Sequence, residues 1–305
     1  LKKICVLGSI NIDLVTKAIE FPIPGETIPG IEFNTFPGGK GANQAVAASK
    51  LGAEVIFLGK IGNDVFGEMA LSALIEAKVD TRYIKKEDIS TGVASITVNK
   101  SGQNSIICVP GANGMIDVAY VKANKKAIDD ADILMLQLEI PIETVEWAAQ
   151  YAFTNNKLVI LDPAPARKLS KALLSNCSFI TPNETELEII SEIKVLNVDS
   201  LESAKQALIQ QGVSTIVHKC SSKGAYLLTK DDQLLIPGYK VEVVDTTAAG
   251  DSFNAGLAVS LAQGKGTEES IQFANAVGAL SVTKIGAQSA MPTMSVVMEF
   301  IKKNN

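Results

Sequence analysis

Residues 245–256 read Asp-Thr-Thr-Ala-Ala-Gly-Asp-Ser-Phe-Asn-Ala-Gly. They stand between a run rich in β-branched residues, Tyr239 to Val244, and one in which Phe253, Leu257, Val259 and Leu261 recur at helical spacing. The small residues are therefore expected at a strand-to-helix turn. A helix N-terminus offers free backbone N–H groups and the positive end of its dipole, and Ala248, Ala249 and Gly250 leave room for a phosphate-sized anion to approach them. Asp251 follows in the first turn, where its carboxylate could take the proton of a hydroxyl attacking a bound phosphoryl group. The plainer alternative is an acid that stabilises its own helix behind a close-packing turn. A second stretch adds weight to the chemistry: Pro37-Gly38-Gly39-Lys40-Gly41-Ala42-Asn43 again runs from a Gly-rich turn into an Ala-rich helix, with Lys40 and Asn43 at its mouth.

The chain that must position these groups has 305 residues, 47% hydrophobic and 20% charged, an ordinary globular composition. A chain of this size buries roughly three-quarters of its unfolded surface, and one domain over residues 1–305 is expected. A net charge of −5 provides no electrostatic footprint for nucleic acid or an anionic membrane, so a small-molecule partner fits better. Cys5, Cys108, Cys177 and Cys220 lack CxxC spacing and have apolar neighbours, which reads as reduced thiols in a cytoplasmic protein rather than a metal cluster. No apolar run reaches about 18 residues and no charged-then-apolar leader opens the sequence, so neither a membrane span nor a secretory signal is expected.

Lys3 to Ile10 suits a central strand buried on both faces, with Asn11 and Asp13 at its carboxyl end, where such sheets bind ligands; an Asx turn is the alternative. Phe21 to Pro37 is broken by Pro and Gly, with a short extended piece from Gly30 to Phe36, and reads as an excursion from the main sheet. Gly92–Asn99 and 104–109, joined by a turn at 100–103, form a hairpin. Together, roughly 12–37 and 92–109 are expected to make a small antiparallel lid. Ala94, Ile96 and Val98 alternate with Val93, Ser95 and Thr97, so the lid is expected to turn a polar face to its ligand and an apolar face to a second copy of the chain. A strand over 54–61 and a helix over 64–78 precede a regular alternation: helix 117–129, strand 133–138, helix 142–155, strand 157–162, strand 178–181, helices 184–191 and 199–211, strand 214–219. Such βα repeats imply a mostly parallel sheet covered on both faces. Glu139 ends the 133–138 strand. Asn183 and Glu186, three apart at a helix start, share a face that can hold a hydrated cation or simply favour the helix dipole. His218, the sole histidine, lies in an apolar strand and reads as a core residue.

The two Gly-rich stretches, with Gly8-Ser9-Ile10-Asn11-Ile12-Asp13, Leu136-Gln137-Leu138-Glu139, Asp162-Pro163-Ala164-Pro165-Ala166 and Thr181-Pro182-Asn183-Glu184-Thr185-Glu186, resemble the ribokinase family of ATP-dependent sugar kinases, the PfkB-type carbohydrate kinases, over nearly the whole chain. The resemblance implies a ribokinase-like three-layer α/β sandwich with a mostly parallel central sheet and a small antiparallel lid that clasps a second copy into a homodimer. It implies phosphoryl transfer from ATP to the primary hydroxyl of a pentose, D-ribose giving ribose 5-phosphate, with 2-deoxyribose, another sugar or a nucleoside as alternatives. Asp251 would be the base, and the amides of Ala248, Ala249 and Gly250 the anion hole. Asn11, Asp13, Gly38, Gly39, Lys40, Asn43 and Glu139 would hold the sugar. Asn183, Lys219, Ser221, Gly224, Ala249, Gly250 and Asn275 would face the nucleotide, and Glu186 would bind Mg²⁺ through water. Backbone carbonyls at Asp245, Thr247, Ser281, Lys284 and Gly286 would hold a monovalent cation, K⁺, although Ala290 stands where some relatives offer a hydroxyl. The family commonly has Gly where this chain has Ser221. Neither GxxxxGK[ST] nor GxGxxG occurs, which disfavours a P-loop kinase and a dinucleotide oxidoreductase. A non-catalytic sugar sensor would have no need of Asp251.

Overall fold

Ile4 and Val6 pack on one side of a sheet and Cys5 and Leu7 on the other, so the first strand is buried on both faces, as its continuous apolar run requires. The computed structural model describes residues 2–304. In chain order, β1 (Lys3–Leu7), β2 (Asn11–Ala18), β3 (Gly30–Gly38), α1 (Lys40–Lys50), β4 (Glu54–Gly62), α2 (Val65–Glu76) and β5 (Asp80–Glu87) are followed by the hairpin β6 (Gly92–Val98) and β7 (Asn104–Val109). Then come α3 (Val118–Ala123), α4 (Lys126–Asp129), β8 (Ile133–Leu136), α5 (Ile142–Thr154), β9 (Leu158–Leu161), α6 (Lys171–Ser175), β10 (Phe179–Ile180), α7 (Glu184–Ser191) and α8 (Val198–Gln210). The chain closes with β11 (Ile216–Lys219), β12 (Gly224–Leu228), β13 (Gln233–Pro237), α9 (Ala249–Ala262), α10 (Thr267–Ser281) and α11 (Met294–Asn304).

Nine strands form the main sheet in the order β13-β12-β11-β10-β9-β8-β1-β4-β5, parallel from β11 to β5 and antiparallel at the β11-β12-β13 end. Helices α1, α2, α9 and α10 cover one face, and α3, α5 and α8 pack in the cluster on the other, giving three layers. On the first face the helices run unusually close together. A Cβ added at Gly256 of α9 would lie 3.0 Å from the Ala274 Cα of α10, and α1 lays Ala42, Ala45 and Ala48 into the cluster that holds Ala255 and Ala258 of α9. These small residues have no chain length to hold the helices apart, so the N-termini of α1 and α9 come together at the carboxyl ends of β1, β8 and β9.

The second sheet, β3-β2-β6-β7, consists of two antiparallel pairs joined by a parallel β2–β6 pair. Its register reverses the expected faces. Asp13 pairs with Phe36 and Ala94, and Ala94 with Cys108, while Val15 pairs with Ile96 and Ile96 with Ile106, so Ala94 and Ile96 lie on the face that carries Asp13. On the reverse face Ile12 and Leu14 join Phe66 and Leu71 of α2 in the first core cluster. Alternation within β6 separates its two faces but cannot say which one turns inward.

Further differences have local causes. Tyr239–Val244, expected as a strand, pairs with no strand; Tyr239, Val241 and Val243 instead line an apolar cavity, and Val244 N–H donates to Val282 O at 2.8 Å. The stretch 117–129 holds two short helices, α3 and α4, rather than one. The strand β5 and the helices α6 and α11 had no expectation.

Candidate active site

Asp251 occupies the third position of α9, 5% exposed, with Ala248 at the N-cap in the left-handed region at φ 59. That conformation costs a non-glycine residue on the order of 1 kcal/mol and is the kind of strain that gathers at functional turns. The first-turn amides of Gly250 and Asp251 have no carbonyl within the helix to receive them. Ala249 differs from expectation: its N–H donates to Thr246 O at 3.2 Å, closing the turn, so it is not a free donor in this structure. Asn43 Nδ2 donates to Asp251 Oδ2 at 3.0 Å and Gln44 Nε2 to Oδ1 at 3.1 Å. Burial pushes the Asp251 carboxyl up and Asp162 adds to this, while Lys40 and the two amides pull it back, leaving it at about 6.

The second Gly-rich helix start is built differently. Glu139 Oε2 accepts from the Lys40 amide at 3.0 Å and from Ser9 Oγ at 2.5 Å; Ser9 itself accepts from Gly41 N at 3.3 Å on its hydroxyl and from Ala42 N at 2.9 Å on its carbonyl. The N-terminus of α1 is thus capped from within the protein, and α9 alone of the pair presents open donors. Gly39 sits at φ 88, where a Cβ would come 2.7 Å from Asn11 N, and a Cβ on Gly38 would meet the Asp13 carboxylate at 2.5 Å. Both glycines therefore let the turn lie against Asn11 and Asp13. Asn113 Nδ2 donates to Asn11 Oδ1 at 2.7 Å, which leaves the Asn11 NH₂ as its outward group. Burial, with the charges of Glu139 and Asp251, pushes Asp13 up to about 6. Burial alone would lower Lys40, but Asp251, Asp162, Glu139 and Glu186 outweigh it and hold its ammonium above the ordinary range.

Beside Asp251 opens a cavity of about 320 Å³ whose wall includes Lys40, Asp162, Asn183, Glu186, Lys219 and Gly250. Lys219 Nζ donates to Asp162 Oδ1 at 2.9 Å and lies 3.9 Å from Glu186. Asn183 and Glu186 form a capping box on α7: Asn183 Oδ1 accepts from Glu186 N at 2.9 Å, and Glu186 accepts from Asn183 N at 2.8 Å and Nδ2 at 2.9 Å. With both carboxylate oxygens so engaged, Glu186 suits a cation that keeps its own waters better than a direct ligand. Burial raises its carboxyl, opposed chiefly by Lys219.

A neighbouring cavity of about 510 Å³ is lined by Ser221, Gly224, Tyr239, Val241, Phe253 and Asn275 among others. A Cβ on Gly224, at φ 102, would collide with Ile236 O at 2.2 Å, and Asn275 Nδ2 donates to Ile236 O at 3.1 Å. Ser221 adopts φ 50, a left-handed conformation that explains why Gly suits its place. The carboxylate of Asp245 joins two loops, accepting from Thr247 N at 2.9 Å and Thr247 Oγ1 at 2.6 Å on one oxygen and from Gly286 N at 2.9 Å on the other. These hydrogen bonds outweigh burial and hold it below the usual carboxylate range. Ser281 is buried with its hydroxyl on Gly278 O, and Lys284 is exposed. His218 is buried, its Nδ1 3.3 Å from Pro182 O and its ring stacked on Tyr226.

Sequence reasoning gave no individual role to Ser9, Gln44, Asn113, Gln137, Asp162 or Gln288, although Ser9, Gln137 and Asp162 stand in the motifs that carry the resemblance. Asp162 carried a physical signal as well, as an acid at the carboxyl end of a parallel strand; Gln44 Nε2 bridges it to Asp251, and Gln137 Nε2 donates to Gln44 Oε1 at 2.7 Å.

A family model described as pfkB family carbohydrate kinase matches residues 1–294. Ribokinase of Haemophilus influenzae is 42% identical over 99% of this chain and 99% of its own, and deoxyribokinase of Salmonella typhi is 36% identical over 99% of each. The structure of Arabidopsis thaliana ribokinase complexed with ribose and ATP superposes with a TM-score of 0.94, at 32% identity and 99% coverage of both chains. With a buried acid at an open helix N-terminus and a family model spanning almost its whole length, the chain belongs to the pfkB family of carbohydrate kinases.

Proposed function

We propose that this kinase transfers the γ-phosphoryl group of ATP to the primary hydroxyl of D-ribose, giving ribose 5-phosphate. The observation that carries the reading is the place of Asp251, one buried carboxylate that faces both the open amides of α9 and the cluster of Asn11, Asp13 and Glu139. A sugar in that cluster has hydrogen-bond partners of both kinds: the Asn11 NH₂ donates, and the carboxylates of Asp13 and Glu139 accept. Asp251, at about 6, is mostly ionised at neutral pH yet basic enough to take a hydroxyl proton as the oxygen attacks. The amides at the start of α9 and the Lys40 ammonium stabilise charge on the transferred phosphoryl oxygens. The larger cavity, walled by Tyr239, Val241 and Phe253, suits the adenine.

Carboxylates outnumber ammonium groups around the smaller cavity, so a nucleotide polyanion would enter best with its charge partly neutralised by Mg²⁺, which would supply positive charge opposite the phosphate oxygens. Glu186 would hold it through a metal-bound water. A monovalent cation, K⁺, would sit on the backbone carbonyls of the loops that Asp245 ties together, at Asp245, Thr247, Ser281, Lys284 and Gly286. We place the protein in the cytoplasm, on its free cysteines; no helix of the described residues is long and apolar enough to cross a membrane. The small sheet would act as a lid and as the interface of a homodimer, since Ile106 on the Asp13 face and Phe33 and Ile107 on the reverse face are exposed.

A coupled assay of ATP consumption across pentoses, hexoses and nucleosides tests the reading. Ribose should give the highest kcat/KM, and a clear preference for 2-deoxyribose, the substrate class named by the Salmonella typhi relative, would replace it. Light scattering should find twice 32.2 kDa; a fully active monomer would defeat the dimer.

A further inference from the structure

Two side-chain amides stand behind Asp251, and they are anchored differently. Gln44 donates to Asp251 and to Asp162 while its oxygen accepts from Gln137, so three contacts inside the core fix its orientation. Asn43 has a single anchor besides Asp251: its Oδ1 accepts from Gln288 Nε2 at 3.2 Å, across 245 residues of sequence. An Asn amide can turn over and exchange its NH₂ for its oxygen, and the turned form would present an acceptor to a carboxylate that also only accepts. The donor on Gln288 opposes that turn. Gln288 is itself held in place, because Lys50 Nζ donates to its carbonyl at 2.6 Å and Gly286 N, two residues before it, is clamped to Asp245 at 2.9 Å.

We propose that Gln288 is a positioning residue for phosphoryl transfer, locking Asn43 with its NH₂ on Asp251 so that the base stays ionised and aimed. The proposal rests on Asp251 being the base of a sugar kinase. Asn43 then has one lone pair of its oxygen and one of its N–H groups committed, leaving its second N–H as its free donor. Other charges surround Asp251: Lys40 from α1 and Asp162 after β9 act on it, Asp13 from β2 interacts with it, Glu139 after β8 acts on Asp13 and Lys40, and Lys219 at the end of β11 has its Nζ beside Gly250. Among the described residues the hydrogen bonds of Gln288 go to Asn43 and Lys50, so a change at Gln288 reaches Asp251 through Asn43.

The test compares Gln288→Leu and Gln288→Glu in the full chain, with thermal melts to check folding and steady-state kinetics with ribose and ATP between about pH 5 and 9. The Leu variant removes the donor; kcat should fall about tenfold, and the acid limb of the pH profile should rise by on the order of half to one pH unit as Asp251 loses a hydrogen bond. The sugar KM should stay within about threefold, since no direct sugar contact is removed. The Glu variant keeps shape but only accepts, so Asn43 must turn its NH₂ away from Asp251, and both effects should be larger. The added charge can raise the acid limb by itself, so the deciding reading is kcat on the plateau above that limb: a role in packing alone predicts the opposite order there, with the isosteric Glu near wild type. Should Leu unsettle the loop, the Glu variant carries the test alone. Folded variants with the wild-type acid limb overturn the role of Gln288, whereas a wild type that phosphorylates no sugar overturns the reading of the site as a whole.

Discussion

Asp251→Asn should make the ligand-free protein more stable while making it a poor enzyme, and the size of both effects follows from the site. The Asp251 carboxyl sits at about 6 against an ordinary 3.8, a value already net of the attraction of Lys40. A carboxyl that binds its proton more tightly when folded loses stability as it ionises; the loss begins near the unfolded value and is complete above the folded one. A little over two pH units corresponds to roughly 3 kcal/mol, of which only about 0.5 kcal/mol is present at pH 4 and nearly all at pH 8. Asparagine removes this cost but offers one donor where the carboxylate accepted, so Asn43 or Gln44 loses a partner, at about 1 kcal/mol. The variant should therefore be about 2 kcal/mol more stable at pH 8, roughly 3–5 °C in Tm, and slightly less stable than wild type at pH 4. With the base gone, kcat should fall at least ~10²-fold while sugar and ATP still bind. Differential scanning calorimetry at several pH values and a coupled assay read the two effects. If the Tm curves of wild type and variant run parallel from pH 4 to 8, the perturbed carboxyl is wrong; near-normal turnover rules out the base.

Asn113→Ala should raise the sugar KM about tenfold and leave the ATP KM unchanged, because the lost partner of Asn11 Oδ1 lies on the sugar side only; equal changes in both would place Asn113 elsewhere in the mechanism. Ser221→Gly should stabilise the protein by about 0.5–1 kcal/mol by relieving the left-handed strain at φ 50, with ATP use intact, and a lower Tm would contradict that account. Activity should be higher in K⁺ than in tetramethylammonium at matched ionic strength if the loops joined by Asp245 hold a monovalent cation, and equal rates would remove that site from the proposal.

What could be read in the sequence follows the distance over which each feature is decided. The β1 and β8 strands and the β6–β7 hairpin rest on neighbours in the chain and form within the stretches their patterns mark. But β1 stops at Leu7 rather than Ile10 and β8 at Leu136 rather than 138, so Asn11 and Asp13 belong to β2 of the second sheet instead of following β1 directly. The Asn183–Glu186 spacing is also local, yet the same four residues encode a capping box as readily as a cation site; the protein builds the box, and a cation would meet Glu186 through water alone. Tyr239–Val244 misled because β-branched residues suit the wall of a cavity as well as a strand. The amide network behind Asp251 was illegible because Gln44 and Asp251 stand 207 residues apart, and Gln137 and Gln44 93 apart.

The two Gly-rich helix starts make the limit concrete. Gly38-Gly39-Lys40 and Ala248-Ala249-Gly250 look alike as invitations to an anion, and helix N-termini in general are such invitations. In α1 the invitation is withdrawn, since Glu139, 99 residues away, and Ser9, 32 residues away, take its first amides. This internal capping has a consequence of its own: Glu139 Oε2 is fixed against α1 by the Lys40 amide and Ser9 Oγ, in a carboxylate close enough to Asp13 to raise its carboxyl, while no hydrogen bond engages Oε1 among the described residues. In the proposed reaction one helix start would offer an acceptor to the sugar while the other would keep its donors for phosphate. That division of labour, rather than either glycine motif, would then separate the two substrates across Asp251.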